Sequence, residues 1–233
     1  MSGDHGRKVA SMFGRIAAWY DFLNHFLSLG LDILWRGRLV ERMNLPGAKP
    51  CRVLDLAAGT LDVSLEIAGR HPGAFVAAAD FCLPMLAKGR TKLERPGRIA
   101  PVQADGRALP FRDESFEAAS IAFGIRNIIP RAEAYAELFR VLKPGGRLCI
   151  LEFGSGRQPI LGGLYRLYLN RLLPLVGRVF SRDAGAYRYL ADTIMAFPDA
   201  DGLAGELARA GFARVEWEKM ALGIVVVHVA VKD

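Results

Sequence analysis

Apolar positions along this chain follow two alternating rhythms. From Cys51 onward, short runs that are apolar throughout lead into stretches whose apolar residues recur at helical spacing. Arg52–Ala58 (RVLDLAA) predicts a buried strand, and Asp62–Arg70 a helix. Phe75–Phe81 predicts a second strand, and Leu83–Leu93 the helix after it. Ile99–Ala104 and Glu117–Phe123 predict strands three and four. Arg131–Leu142 predicts a helix with Tyr135, Leu138, Phe139 and Leu142 on one face. Lys143-Pro-Gly-Gly stops it, and Arg147–Phe153 predicts a fifth strand. Strands that are apolar throughout and alternate with helices predict a parallel sheet covered on both faces.

The C-terminus departs from this rhythm. Leu203–Ala210 predicts a short helix, and Ala213–Ala221 and Ile224–Lys232 predict strands separated only by Leu222-Gly223. So short a connection requires an antiparallel hairpin. The pattern therefore predicts one α/β domain over residues 1–233, a mostly parallel seven-stranded sheet with an antiparallel C-terminal hairpin. Two regions lie outside that scheme: a helical N-terminal cap over 1–49 and an inserted cap over 154–199.

Composition narrows the picture. Lysine and arginine number 31 against 24 acidic residues, a net charge of +7 that favours an anionic partner: nucleic acid, a membrane surface or an anionic ligand. The 52% hydrophobic and 24% charged content excludes a disordered or collagen-like chain. Cys51, Cys82 and Cys149 are widely spaced, which argues against a disulfide framework or a zinc ribbon and fits a reducing cytoplasm. No metal-ligand spacing, signal-peptide core or spanning apolar run is found.

The insertion sharpens the meaning of the charge. Between Phe153 and Arg182 there is no acidic residue, but there are Arg157, Arg166, Arg171, Arg178 and Arg182. Leu164, Leu167, Tyr168, Leu172 and Leu173 supply an apolar face. Such a basic amphipathic helix lies on an anionic membrane or covers a greasy ligand, or else it is a cap packed on the main domain with solvated arginines.

Candidate chemistry gathers at strand ends. The first strand runs into Asp55-Leu-Ala-Ala-Gly-Thr-Leu-Asp62, and Asp80 follows Gly59 by 21 residues. An acid about 20 residues beyond a glycine turn is placed to accept from ribose hydroxyls. The loop has too few glycines for a pyrophosphate, which favours a nucleoside ligand without phosphates. Asp55 and Asp62 beside it suit a cationic ligand such as S-adenosylmethionine. Asp105, followed by Gly106, stands after the third strand, where an acid can accept from an adenine amine.

With these residues in place, the chain resembles the class I S-adenosylmethionine-dependent methyltransferases, which have a Rossmann-like fold. More closely, it is similar to the UbiE/MenG family of quinone-biosynthesis C-methyltransferases. Tyr20-Asp-Phe-Leu-Asn24 with Ser28 and Trp35-Arg36 is similar to one family signature, and Arg140–Arg147 with Leu151-Glu-Phe153 to another. Ala122-Phe-Gly-Ile-Arg-Asn127 resembles the family's F-G-L-R-N segment, and Tyr187–Leu190, Phe197-Pro198, Gly211-Phe212 and Gly223-Ile224 stand where the family has them.

The resemblance implies a cofactor, S-adenosylmethionine, held by Thr60, Asp80, Asp105, Gly106 and Ala122 together with the Asp55 and Gly59 read above. It implies a reduced polyprenyl quinone precursor as acceptor, either demethylmenaquinol or a methoxy-polyprenyl-benzoquinol. Arg126 and Asn127 are the catalytic candidates: Arg126 to stabilise a quinolate oxygen or hold a water, Asn127 to orient the ring. A structural ion pair with Glu152 is the other reading of Arg126. Three residues depart from the family pattern. Leu61 stands at a loop glycine, and either crowds the methionine portion or packs between sheet and helix. Ala122 replaces a serine, and Asp32 a histidine. Tyr20, Tyr187 and Tyr189 line an aromatic pocket or fill the core. His228 reads as a satisfied strand histidine and His25 as surface.

The expected protein is thus a cytoplasmic enzyme visiting the inner face of the membrane through the basic 154–182 stretch, with both caps over the acceptor site. A homodimer is the default assembly. A nucleic-acid methyltransferase is disfavoured by Gly124-Ile-Arg-Asn127 where an amino-methylating site has [ND]-P-P-[YF]. A non-catalytic scaffold in quinone biosynthesis, or a methyltransferase for another small aromatic acceptor, is the alternative.

Overall fold

The chain opens with helices α1 (Ser2–Ile16), α2 (Tyr20–Leu27) and α3 (Leu31–Arg42). Then β1 (Cys51–Leu56), α4 (Asp62–Arg70), β2 (Ala74–Asp80), α5 (Leu83–Arg90), β3 (Ile99–Gln103) and β4 (Phe116–Ala122) alternate. A short 3-10 turn over Ile125–Asn127 leads to α6 (Arg131–Val141) and β5 (Leu142–Phe153). The chain closes with α7 (Ala184–Ala196), α8 (Ala200–Arg209), β6 (Arg214–Met220) and β7 (Val225–Val231). This computed structural model describes residues 2–17, 20–93, 97–155 and 184–233. The five arginines of the basic insertion lie outside them.

Seven strands form one sheet in the order β3-β2-β1-β4-β5-β7-β6. The first five pair in parallel, while β7 runs antiparallel to β5 and to β6. The predicted architecture is the observed one. Alternate strand residues feed two cores, as a period of two requires. Leu54, Ala119, Ile121 and Ile150 pack under α6 and α8 with Tyr135, Leu138, Leu203 and Leu207. Val53, Ala118, Cys149 and Leu151 pack under α3 and α4 with Trp35, Leu39, Val63 and Ile67. The three cysteines are buried free thiols.

Several element boundaries shift from expectation, two of them for a visible reason. Strand β5 begins at Leu142 because that residue pairs with Phe116 ahead of a bulge, so Lys143-Pro-Gly-Gly is carried within the strand. Helix α8 begins at Ala200, three residues early, because the Asp199 carboxylate caps it by accepting from the Gly202 amide at 2.9 Å. His228 is buried in β7, and its Nε2 meets the Ala200 carbonyl oxygen at 2.9 Å, which makes it a strand histidine tied to that same helix start.

Candidate active site

The strand order reverses between β1 and β4, and at such a point the connections diverge and leave a crevice at the carboxyl ends of the strands. A cavity of about 850 Å³, its open mouth included, occupies that place. Its wall takes Leu56, Ala57 and Gly59 from the loop after β1, and Asp80 and Cys82 from the end of β2. Asp105, Gly106 and Arg107 come from the loop after β3, and Ala122, Phe123 and Asn127 from the end of β4. Of the residues singled out from sequence, Gly59, Asp80, Asp105, Gly106, Ala122 and Asn127 converge here. Asp55, Thr60 and Arg126 do not line the cavity.

Asp80 is held by the loop it faces. Its Oδ2 accepts from the Gly59 amide at 2.8 Å and its Oδ1 from the Cys82 amide at 2.7 Å. Burial pushes its pKa up, and the two amides oppose that push. The carboxylate is thereby fixed in direction, and each oxygen keeps acceptor capacity toward the cavity. Asp105 is gripped by Arg107, with Nε at 2.9 Å and Nη2 at 2.6 Å. That guanidinium holds the Asp105 carboxyl below its ordinary range. A side chain at position 106 would press on Ile128 at 3.1 Å and Leu56 at 3.2 Å, so the glycine keeps this slot open.

The three residues outside the wall support it from behind. Asp55 neighbours Leu56 on β1, and a strand sends adjacent side chains to opposite faces. Leu56 faces the cavity, so Asp55 points beneath α4, where it accepts from Ser64 Oγ at 2.6 Å and Ser120 Oγ at 2.8 Å. Full burial pushes its pKa up to about 6. Thr60 is buried and donates its hydroxyl to Asp21 of α2. Lys92 pairs with that same Asp21 at 2.8 Å and with Asp62 at 2.6 Å, which ties the N-terminal helices to the loop. Arg126 is buried and pairs with Glu152 at 2.8 Å, donates to the Phe123 carbonyl and lies 5.7 Å from the Phe153 ring centre. The ion pair with Glu152 is therefore present, one residue from Asn127 in the wall.

Leu61 packs harmlessly. It takes left-handed backbone, φ 68°, at the start of α4, and its side chain is fully buried with Ala58, Ala78 and Leu86 between sheet and α5. Gly89 on α5 has no side chain because a Cβ there would meet Leu61 Cγ at 2.5 Å. Likewise a Cβ on Gly124 would collide with the Ala57 methyl, so the loops after β1 and β4 approach closely only through that glycine. Asp32 is a buried hub for Ser28, His25 and Arg36.

Sequence reasoning placed an N-terminal cap over the site but named none of the α1 residues that roof it. Helix α1 lays His5, Gly6, Val9, Ala10 and Phe13 over the cavity, and Cys82 Sγ bonds the Ala10 carbonyl at 3.3 Å. The signal was there in Val9, Ala10 and Phe13, one apolar face at helical spacing. Tyr189 of α7 was read only as an aromatic; its hydroxyl lies 3.1 Å from Asn127 Oδ1. Tyr20 and Tyr187 side chains fall outside the described residues.

The ubiE/COQ5 methyltransferase family model matches residues 1–232. The chain belongs to the ubiE/COQ5 methyltransferase family. It is 46% identical over 219 residues to the demethylmenaquinone methyltransferase of Thermus thermophilus, spanning 94% of this chain and 98% of the relative. It is 42% identical over 233 residues to the ubiquinone/menaquinone biosynthesis C-methyltransferase UbiE of a Geobacter species, spanning 98% of both. Among solved structures it is similar to a methyltransferase of Thermotoga maritima described as a possible histamine N-methyltransferase. That likeness has TM-score 0.66 at 18% identity, over 96% of this chain and 99% of that one, and establishes the shared methyltransferase fold.

Proposed function

We propose that this ubiE/COQ5 family member transfers the methyl group of S-adenosylmethionine to a ring carbon of a reduced, prenylated quinol. Demethylmenaquinol is the preferred acceptor, and a methoxy-polyprenyl-benzoquinol the second. The observation that carries the reading is the convergence of four strand-end loops on one cavity, with amide-anchored Asp80 on one wall and Asn127 on another. The names borne by the Thermus and Geobacter relatives support the acceptor class.

The residues fit this donor. Asp80 would offer its two oriented oxygens to the ribose hydroxyls, Asp105 would accept from the adenine amine, and the slot kept open by Gly106 would receive the base. Ala122 lacks the hydroxyl of a serine but lines the cavity. Bound S-adenosylmethionine supplies an electrophilic methyl group on a sulfonium. The chain's part is to place a ring carbon in line with that methyl and to favour an ionised ring oxygen. Such positioning can contribute up to roughly 7–11 kcal/mol. Tyr189 donates to Asn127 Oδ1, so the Asn127 amide group directs its own N–H donors at the acceptor oxygen. Arg126 adds its positive charge from behind the wall. Helix α1 and Phe123 exclude water from the reacting groups.

A lipid-borne acceptor places the protein at a bilayer surface. No helix among the described residues is long and apolar enough to cross a membrane. The test is an anaerobic methyl-transfer assay offering both quinols in reduced and oxidised form. Activity confined to reduced rings is expected, since only the quinol has a nucleophilic carbon. Equal activity on oxidised rings, or none on either quinol while S-adenosylmethionine binds, overturns the reading.

A further inference from the structure

Two leucines sit where neither packing nor backbone preference places them. Leu29 is 86% exposed and Leu222 72%, and both take left-handed backbone, at φ 53° and 55°. That conformation is strained for any residue with a Cβ, and an exposed leucine recovers nothing by burial. The turn that carries Leu29 is firmly built. Buried Asp32 accepts from Ser28 Oγ at 2.8 Å and Arg36 Nη1 at 2.6 Å and pairs with His25 Nδ1 at 3.0 Å. Leu222 tops the β6–β7 connection, where Ala221, Leu222 and Gly223 are left-handed in succession.

The two turns stand at the same end of the fold. Arg42 pairs with Glu216 at 3.2 Å and Arg38 with Glu218 at 2.8 Å, so the start of α3 and the end of β6 point the same way. Exposed Leu29, Leu31 and Leu34 (68% exposed) around the start of α3, and exposed Leu222 after β6, make that end an apolar apex. Phe153 and Met220 both pair with Val225, so the apex stands at the carboxyl edge of the sheet, the edge on which the cavity lies. On the other face of that edge strand are exposed Trp217 and Lys219, with the ammonium 5.3 Å from the indole centre.

We propose that this apex docks the protein on an anionic phospholipid bilayer. The leucines enter the acyl boundary, and Trp217 and Lys219 lie at headgroup depth, where an aromatic ring and a long cationic side chain are both accommodated. The net charge of +7 complements an anionic surface. Strained, exposed leucines on a rigid turn are explained by insertion, because rigidity lowers the ordering lost on docking. The proposal rests on a lipid-borne acceptor and locates where the cavity meets it.

The test is co-sedimentation of the whole protein with phosphatidylcholine vesicles, with and without phosphatidylglycerol. The variants are Leu29→Asn, Leu34→Gln and Leu222→Asn. Asparagine tolerates left-handed backbone, so the first and third should melt no lower than the parent. Each should weaken partitioning by about tenfold. Methyl transfer to a long-tailed quinol in vesicles should fall in step, and transfer to a short-tailed soluble quinol should not change. Unaltered vesicle binding overturns the proposal, as does a parent dimer that the variants dissociate while vesicle binding persists. Weakened vesicle binding with no transfer to any quinol supports the docking apex and refutes the acceptor assignment instead.

Discussion

Replacing Arg126 by alanine strips the partner from a carboxylate that the fold has taken out of water. Glu152 is 1% exposed; its Oε1 accepts from Arg126 Nη1 at 2.8 Å and from the Phe153 amide at 2.9 Å, and its buried Oε2 has no partner among the described residues. Burial pushes the Glu152 pKa up, and the guanidinium opposes the push. Without Arg126 a buried charge stands alone, a change that costs about 3–5 kcal/mol. In a chain of this size each kcal/mol lowers Tm by about 2–4 °C, so Arg126→Ala should melt roughly 6–20 °C below the parent. The loss has a pH sign. A carboxyl whose folded pKa is raised contributes its full stability below the ordinary value of 4.5 and loses it as pH rises through the folded value. The alanine variant raises that folded value further, so its deficit should be larger at neutral pH than in acid.

The double variant Arg126→Met/Glu152→Met removes both charges and should recover most of the stability. It should not recover turnover, because the positive charge behind Asn127 is still missing. Calorimetric melting across pH, beside methyl-transfer rates, separates the two roles. A single variant melting within about 2 °C of the parent refutes the energetic argument. A double variant that regains full turnover shows that Arg126 only holds the fold.

Three further outcomes are expected. The Asp55 carboxyl, raised from 3.8 to about 6, contributes stability that is full below 3.8 and is lost as pH rises through about 6. The difference is worth about 3 kcal/mol; Asp55→Asn should flatten that slope in urea unfolding, and a parent with no such slope contradicts the argument. Leu61→Ala should lose about 2–5 kcal/mol by emptying a packed site. Leu61→Gly should lose less, since glycine recovers about 1–2 kcal/mol of left-handed strain, and a larger loss in urea unfolding would count against the strain. Asp80→Asn keeps a side chain beside the Gly59 and Cys82 amides but removes the charge. By titration calorimetry it should weaken S-adenosylmethionine binding by roughly tenfold to a hundredfold, and unchanged affinity would detach Asp80 from the ribose.

The sheet was legible because its central strands are apolar on both faces, so Val53-Leu54 and Ala118-Ala119 serve two cores at once. The spacing of Gly59 to Asp80 was legible because consecutive parallel strands end side by side at the same edge of the sheet. What sequence could not place were side-chain directions fixed by distant partners. Asp55 turns away from the cavity because Ser120, 65 residues on, receives it. Leu61 is harmless because Gly89 on another helix makes room. Thr60 is committed to Asp21 on another helix, and an apolar face on α1 does not by itself tell which of its residues come over Asp80.

The central claim is that the cavity directs a methyl group to carbon. Wild-type protein given S-adenosylmethionine with an isotope-labelled methyl and excess demethylmenaquinol, without oxygen, tests it most directly. Nuclear magnetic resonance of the recovered product should find the label as a methyl group on the ring carbon. Label on a ring oxygen, or no label in the lipid fraction while the protein binds S-adenosylmethionine, would contradict the account.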